Sequence, residues 1–160
     1  MKYAIVYSSI TGNTKKLAES IKNKINDCYF GKPSDEALSA DTIFLGFWTT
    51  KNSCSPDVQS FIEKLSDKNL FIFGTAGYNN TKEYFEQILS NVKSYVPSSN
   101  TIIGTYMCQG KVSDAKQDMI KKDKPEMYEA IKDNLAESVH HPNDDDVKAL
   151  ISEIDKVITE

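Results

Sequence analysis

Residues 3–21 read YAIVYSSITGNTKKLAESI, and their pattern indicates how the chain begins to fold. The apolar run at 3–7 has the continuous hydrophobicity of a buried strand. After a short polar turn, Leu17 and Ile21 lie at helical spacing. A strand that enters a helix through a short loop is the first half of a βαβ unit. We therefore expect an α/β fold that starts with this strand, loop and helix.

The same alternation of strand and helix recurs along the chain. Apolar runs that indicate strands lie at 28–30, 43–48, 70–73 and 102–107, and helical spacing occurs at 58–65, 84–92, 114–122, 126–137 and 147–158. Continuously apolar strands are typical of a parallel sheet with helices on both faces. Right-handed crossovers then predict a doubly wound five-stranded parallel sheet, with a ligand crevice at the carboxyl ends of its strands. The last helices form an extra helical C-terminal segment.

The composition is that of an ordinary globular protein. The 160 residues suit a single domain, 1–160, with 39% hydrophobic and 26% charged side chains. The N-terminal apolar run is too short for a signal peptide core or a membrane span, so we expect a cytoplasmic protein without a membrane partner. Cys28, Cys54 and Cys108 are an odd number without a C-x-x-C pair. This spacing argues against disulfides and zinc, and it fits a reducing compartment.

The charged residues argue against nucleic acid as a partner. The formal net charge is −4, and every basic side chain other than histidine is a lysine. Arginine, the usual bidentate reader of phosphates and guanine edges, does not occur in the sequence. An acidic surface favours encounters with basic patches on other proteins, although most such charge only keeps a protein hydrated.

The loop after the first strand is the strongest candidate for a binding site. It consists of Ser8, Ser9, Ile10, Thr11, Gly12, Asn13 and Thr14. Backbone N–H groups at a helix N-terminus, together with hydroxyls, can bind a phosphate, and glycine allows its close approach. The alternative is a helix start that is merely capped by a Ser/Thr-rich turn. A P-loop would need Gly-Lys-Ser or Gly-Lys-Thr here, a receiver domain acidic residues, and a small phosphatase Cys and Arg, so these classes do not fit.

Three further loops should converge on the same crevice, because they follow the third, fourth and fifth strands. They contribute Phe47, Trp48, Thr49, Thr50, Lys51 and Asn52, then Gly74, Thr75, Ala76, Gly77 and Tyr78, and then Gln109, Gly110 and Lys111. The only tryptophan of the chain thus stands at the rim, where ordinary packing is the alternative to ligand contact.

With these motifs the chain resembles the flavodoxin family, in which a T-x-T-G-N-T-like loop after the first strand holds the phosphate of flavin mononucleotide (FMN). The resemblance spans nearly the whole chain and implies the strand order 2-1-3-4-5. It implies that Ser9, Thr11, Asn13 and Thr14 contact the phosphate. Ile10 stands where the family usually has a hydroxyl residue, and it offers only its backbone N–H.

The resemblance also implies roles for the other loops. Trp48 would stack on the flavin, backbone N–H groups of 74–78 would approach its pyrimidine edge, and Tyr78 is favoured over Tyr84 for the second ring face. In flavodoxins a peptide flip after the third strand stabilises the one-electron-reduced cofactor, usually at a glycine. Here Asn52 is the residue that best tolerates the positive φ of the flipped peptide.

The function that the resemblance implies is an FMN-binding electron carrier between a reductase and an acceptor enzyme, without catalytic residues, as a monomer or weak homodimer. The motifs GFW, FGTAG, CQGK and HPNDDD are similar to a subgroup of short flavodoxin-like proteins, the BilS type, some of which are encoded beside bilirubin reductase. One alternative is a small FMN-dependent oxidoreductase that reduces quinones or pigments with NAD(P)H, its helical tail building a dimer interface. The other is a flavin-free accessory subunit of a reductase.

No metal is expected. Cys54 and Cys108 fall near the crevice, and because a thiol needs a basic neighbour or a helix N-terminus to become reactive, we interpret both as structural. His140 and His141 lack spaced carboxylate or cysteine partners, and we expect them at the surface between two helices.

Overall fold

A computed structural model of the chain describes residues 2–158. Its strands are β1 (Tyr3–Tyr7), β2 (Tyr29–Gly31), β3 (Thr42–Trp48), β4 (Asn69–Ala76) and β5 (Thr101–Gln109). Its helices are α1 (Asn13–Lys22), α2 (Pro56–Glu63), α3 (Lys82–Lys93), α4 (Asp114–Asp123), α5 (Pro125–Ser138) and α6 (Asp144–Asp155), with a 3-10 turn at Asp35–Ser39. The strands form one parallel sheet of order β2-β1-β3-β4-β5, so the predicted fold class and strand order are confirmed.

Each face of the sheet carries its own hydrophobic core, because successive strand residues point to opposite sides. On one face, Ile5 and Phe44 pack with the buried stripes of α1 and α6. On the other, Val6 and Leu45 pack with those of α2 and α3. Burial of each such side chain stabilises the fold by roughly 1.5–3 kcal/mol, so the two cores together hold the helices on the sheet.

Phenylalanine rings of β3 and β4 lie over glycines of the neighbouring strand. In the parallel register Phe47 pairs with Gly74, and Gly46 pairs with Phe73. A Cβ atom at Gly74 would lie 2.4 Å from the Phe47 ring, and one at Gly46 would lie 2.5 Å from the Phe73 ring. Carbon atoms in contact prefer about 3.5–4.0 Å, so neither position has room for a side chain. The two rings enter opposite cores and fix the register just below the carboxyl ends of the strands.

The helices α4 and α5 pack against each other and reach the carboxyl end of β5. The Gln109 Nε2 donates to the carbonyl oxygens of Gly77 at 3.0 Å and Asn134 at 2.8 Å. The Val112 N–H donates to the Ser138 Oγ at 3.1 Å. These bonds place the α4–α5 pair beside the predicted crevice. None of the described helices is long and apolar enough to cross a membrane.

His141 joins α5 to α6 and is not the surface residue that the sequence suggested. Its side chain is 16% exposed; Nδ1 lies 2.6 Å from the Asp146 Oδ2 and Nε2 lies 3.2 Å from the Glu137 Oε1. Asp146 also forms a capping box with Asn143 at the start of α6. Burial alone lowers the pKa of His141, but the hydrogen bonds to Asp146 and Glu137 outweigh it and raise the pKa above its ordinary 6.5.

The substitution Gly74→Ala should destabilise the protein by about 1–3 kcal/mol, because the new methyl group overlaps the buried Phe47 ring. Urea unfolding followed by circular dichroism measures the free energy of unfolding. Gly31→Ala is the matched control, since its Cβ would meet only the hydroxyl end of Tyr29, at 3.1 Å on an edge strand. The cost of Gly74→Ala should shrink in a Phe47→Leu background, and equal costs in both backgrounds would contradict the steric explanation.

The stabilising contribution of His141 should be present at acidic pH and fade towards alkaline pH. Its folded-state pKa is raised, so the contribution is complete below the unfolded value of 6.5 and is lost as pH rises through the folded value. The difference in unfolding free energy between wild type and His141→Gln should therefore be largest below pH 6.5 and should narrow as the pH rises above that value. His140→Gln, at the exposed neighbouring position, is the control. A difference that widens with pH would rule out this role.

Candidate functional site

The cleft at the carboxyl ends of β1, β3, β4 and β5 is the candidate site. It has a volume of about 810 Å³ and is formed by the four predicted loops together with α4 and the start of α5. The predicted residues that line it are Ile10, Thr11, Asn13, Trp48, Thr49, Thr50, Lys51, Asn52, Thr75, Ala76, Gly77, Tyr78, Gly110 and Lys111. The cleft lies where the strand order reverses, which is where doubly wound sheets bind their ligands.

A second cavity lies at the opposite, amino-terminal end of the sheet. It measures about 420 Å³, and Lys2, Asp41 and Asn69 are among its lining residues. None of the predicted site residues borders it. The larger cleft is therefore the one that combines a helix N-terminus with the predicted residues.

The loop between β1 and α1 is held in shape by its own hydrogen bonds. Gly12, the N-cap of α1, has φ 94°, a left-handed conformation that glycine adopts without strain. The Ser9 Oγ accepts from the N–H of Gly12 at 3.1 Å and from the N–H of Lys15 at 3.3 Å. Because this oxygen accepts both bonds, the hydroxyl hydrogen of Ser9 stays available to a ligand.

Several backbone N–H groups of this loop have no acceptor among residues 2–158. They belong to Ile10, Thr11, Asn13 and Thr14. The first N–H groups of a helix have no partner within the helix, and their dipoles favour an anion. The loop thus offers a set of neutral donors of the kind that a phosphate group satisfies.

The Thr14 hydroxyl is used inside the protein rather than in the cleft. Thr14 is fully buried, and its Oγ1 donates to the carbonyl oxygen of Phe47 at 3.0 Å. The Thr75 Oγ1 lies 3.1 Å from the Thr14 Oγ1. Since the only hydroxyl hydrogen of Thr14 goes to the carbonyl, Thr75 is the donor of this second bond. Thr14 can therefore offer a ligand its backbone N–H but not its hydroxyl.

Asn13 connects the first loop to the loop after β5. Its Nδ2 donates to the carbonyl oxygen of Lys111 at 3.0 Å. Gly110 makes this approach possible, because a Cβ atom there would lie 2.6 Å from the Asn13 Nδ2 and 3.1 Å from the Thr75 Cβ. The two loops consequently hold each other at a fixed distance across one end of the cleft.

Trp48 lines the cleft in a half-buried position. Its indole Nε1 donates to the Ser8 Oγ at 3.3 Å. The next residue, Thr49, donates to the Thr75 carbonyl oxygen from both its N–H at 3.1 Å and its Oγ1 at 2.8 Å. The backbone behind the indole is therefore anchored to β4, and the aromatic ring is held at the rim.

The turn after Trp48 contains an unusual backbone conformation. Thr50 and Ser53 exchange backbone hydrogen bonds of 2.9 and 3.0 Å, and between them Lys51 has φ 51° and Asn52 has φ 59°. Two central residues of positive φ define a type I′ turn. The sequence suggested Asn52 for this conformation but not Lys51, for which it costs about 1–2 kcal/mol. The Asn91 Nδ2 donates to the Asn52 carbonyl oxygen at 2.8 Å and ties the turn to α3.

Tyr78 and Tyr84 both line the cleft, so the structure does not choose between them as the second aromatic contact. Burial raises the pKa of Tyr84, and the nearby Tyr78 adds to the shift. The Tyr84 hydroxyl accordingly stays protonated, as a possible hydrogen-bond donor.

Some predicted residues support the cleft without lining it. These are Ser8, Ser9, Gly12, Thr14, Phe47, Gly74 and Gln109. Phe47 and Gly74 belong to the sheet core, where the ring fills the space above the glycine. Gln109 is 2% exposed and bonds to backbone oxygens, while its Oε1 has no partner among the described residues.

The segment from the connection before α4 to the start of α5 adds lining residues that the sequence did not predict. They are Val112, Ser113, Lys116, Lys124 and Met127. The loop motifs carry no information about this wall. The only usable signal was the short connection from Gly110 to the start of α4 at Asp114, which forces the helix to begin beside the cleft.

The cysteines lie outside the cleft lining. Burial raises the pKa of the Cys54 thiol and, with a contribution from Asp146, that of Cys108 far above its usual range. Both thiols are therefore neutral and weakly nucleophilic. Within the described part of the chain, no group of three or more His, Cys, Asp or Glu side chains is placed to hold a metal ion.

Comparison with known proteins gives the family. Residues 4–155 match the model of the flavodoxin domain. The flavodoxin-like domain-containing protein BilS of Clostridioides difficile is 32% identical over 160 residues, covering 92% of this chain and 90% of that protein. The BilS protein of Clostridium symbiosum is 33% identical over 132 residues, 70% of each chain.

Solved structures share the fold at lower sequence identity. A flavoprotein in complex with FMN from Lactobacillus acidophilus has a TM-score of 0.53 and 16% identity, over 74% of this chain and 97% of that one. A flavodoxin of Streptococcus pneumoniae has a TM-score of 0.55 and 17% identity, over 85% and 98%. The chain therefore belongs to the flavodoxin family, and its resemblance to the BilS-type members is confirmed.

Proposed function

We propose that this protein binds FMN in the cleft and carries electrons between a reductase and an acceptor enzyme. The observation that best supports the proposal is that one cleft combines the open N–H groups at the start of α1 with Trp48 and Tyr78. A phosphate-binding loop and aromatic rings at one rim are what a phosphorylated, flat heteroaromatic cofactor requires. The FMN complex of the Lactobacillus acidophilus flavoprotein is consistent with this reading.

The groups of the first loop fit the FMN phosphate without arginine. Backbone N–H groups and the hydroxyls of Ser9 and Thr11 can donate to the phosphate oxygens, with the dipole of α1 favouring its charge. Ile10 and Thr14 would each contribute only a backbone N–H. The volume of about 810 Å³ falls within the range of about 300–1,000 Å³ that small-molecule sites occupy.

The protein would position the cofactor and adjust its electrostatics, while bound flavin supplies one- and two-electron chemistry. In this proposal the Trp48 ring covers one face of the flavin, and the turn of Lys51 and Asn52 lies at its edge. That turn holds a lysine at positive φ, and such strained residues persist where the surrounding structure fixes them, often at functional sites.

One observation favours a second candidate function, a small FMN-dependent oxidoreductase that uses NAD(P)H. The helix α5 adds the half-buried Met127 to the cleft, next to the largely buried Val112 that precedes α4, and Met127 gives an apolar substrate a side chain to contact. A flavin-free accessory role is the third candidate. Flavin binding and NAD(P)H oxidation distinguish these three candidate functions.

FMN should bind with a Kd of about 1 μM or tighter, and binding should quench Trp48 fluorescence, because this only tryptophan lines the cleft. Riboflavin is the matched ligand control. It should bind at least about 100-fold more weakly, because it lacks the phosphate that accepts the charge-assisted bonds of the loop. Equal affinity for the two ligands would contradict phosphate recognition by residues 8–14. Absence of FMN binding would leave only the accessory role.

The loaded protein then separates carrier from enzyme. Anaerobic dithionite titration counts the electrons taken up per flavin, and NAD(P)H is added in a parallel sample without a reductase. A carrier should oxidise NAD(P)H no faster than free FMN does. Rapid oxidation would favour the oxidoreductase.

Trp48→Leu should weaken FMN binding by about ten-fold, since stacking of an aromatic ring contributes about 0.5–1.5 kcal/mol beyond the area that it buries. Flavin fluorescence reports the affinity, because the variant has no tryptophan. Tyr95→Leu removes another half-buried aromatic ring, outside the cleft, and should leave the affinity unchanged. If both variants lose affinity equally, the loss reflects stability rather than stacking.

A further inference from the structure

The cleft is lined by basic residues although the chain as a whole is acidic. Lys51, Lys111, Lys116 and Lys124 line it, and none of its described lining residues is Asp or Glu. The whole chain, in contrast, has 23 acidic side chains against 19 lysines. The lysine rim, as we call these four residues, is therefore a local reversal of the net charge.

The lysine rim is not used to stabilise the fold. None of its four ammonium groups forms an ion pair or a hydrogen bond with another residue of 2–158. All four side chains are exposed. Some lysines elsewhere are engaged, as Lys24 is with Asp155 at 2.5 Å and Lys64 with Asp35 at 3.2 Å, so what distinguishes the rim is that four lysines unpaired within the described chain line one cleft.

Two of the rim lysines lie at the two ends of α4 and line the same cleft. Lys116 is in the first turn of α4, and Lys124 directly follows the helix with a non-helical φ of −137° and ψ of 65°. Asp114 and Asp118 are each two residues from Lys116, which places their carboxylates on the opposite face of the helix. Asp123 adjoins Lys124 in the sequence, but among the described residues no carboxylate of α4 forms an ion pair with a rim lysine.

The spacing of the rim suits an extended surface rather than one small anion. Lys116 lies in the first turn of α4 and Lys124 directly follows its last residue, so about 10 Å of helix separates the two positions. A phosphate or a single carboxylate spans much less than this distance. Several carboxylates spread over a protein surface would match it.

An exposed apolar residue lines the same cleft as the lysine rim. Ile10 lines the cleft and is 70% exposed, the most exposed large hydrophobic side chain among the described residues. Interfaces between proteins typically combine an apolar centre with a charged or polar periphery. Ile10 together with the lysine rim has this arrangement.

We propose that the lysine rim and Ile10 dock an acidic surface of a redox protein partner. The inference rests on the proposed function, because a protein that exchanges electrons through the cleft must bring its own redox centre to this rim. It reverses the expectation from net charge, which favoured basic patches on partners. Opposite charges at such a rim would steer the encounter and set its rate more than its final affinity.

A fluorescein-labelled poly-glutamate 20-mer tests the docking surface on the full chain, with and without added FMN. At low ionic strength its fluorescence anisotropy should report saturable binding, which salt weakens. Lys116→Gln/Lys124→Gln should weaken binding about three- to ten-fold. The matched control Lys93→Gln/Lys148→Gln removes the same charge from exposed positions on α3 and α6, and it should change binding less than about two-fold.

Three results would overturn the proposal. They are no peptide binding by the wild type at low salt, equal losses in the two double variants, and equal displacement by free glutamate at the same carboxylate concentration. The last result would mean that the lysines bind small anions rather than a protein surface. The FMN affinity of each variant is measured separately, so a failure of flavin binding and a failure of docking remain distinguishable.

A strongly acidic [2Fe–2S] ferredoxin and basic cytochrome c serve as folded model partners in the same comparison. The rate at which the reduced ferredoxin passes one electron to the FMN-loaded chain should fall as salt rises, and it should fall several-fold in Lys116→Gln/Lys124→Gln. The proposal would be refuted if, at low salt, electron transfer with cytochrome c were faster than with ferredoxin and the rim substitutions did not change either rate.

Discussion

The site depends on how two phenylalanine rings pack over two glycines in the neighbouring strands β3 and β4. Phe47 fills the space above Gly74 on one face of the sheet, and Phe73 fills the space above Gly46 on the other. A shift of one strand by a residue would pair Phe47 with Phe73 in one direction, which crowds the two rings, or Gly46 with Gly74 in the other, which leaves a cavity. The register at this level is therefore fixed sterically, and the loops that follow the two strands start from defined positions.

Hydrogen bonds then connect the ends of β3 and β4 to the start of α1, which follows the first loop. Thr14 donates to the carbonyl of Phe47 and accepts from Thr75, so one buried hydroxyl joins α1 to the ends of β3 and β4. Leaving one of these buried groups without a partner would cost about 1–3 kcal/mol, so the arrangement is held firmly. These bonds hold the start of α1 in place, so its N-terminal N–H groups are in position before a ligand binds. Such preorganised donors do not have to reorient when an anion binds.

The sequence predicted the fold class and most of the cleft lining, because those features follow from local patterns, and the resemblance to the flavodoxin family gave the strand order. Continuous apolar strands and a Ser/Thr-rich loop before a helix are visible without tertiary information. It could not predict which hydroxyls of that loop face outward: Thr14 looks like a ligand contact but bonds to Phe47 and Thr75. Nor could it show that His141 bridges two carboxylates, since one of them, Glu137, belongs to the preceding helix. The wall formed by α4 was missed for the same reason, because packing of the helical pair sets its position.

The departures from ordinary local rules concentrate around one cleft. Ile10 is an exposed large aliphatic residue, Lys51 is a lysine at positive φ, and the lysine rim has no counter-ions among the described residues. Elsewhere among residues 2–158 the non-glycine residues with positive φ are Asp27 and Asp67, a type that tolerates this conformation. The exposed Ile10 side chain and the positive φ of Lys51 cost solubility or stability, and neither improves the packing of the sheet. Unfavourable features that occur together at one cleft, in a chain whose other residues suit their local structure, indicate that binding rather than folding explains the residues at this cleft.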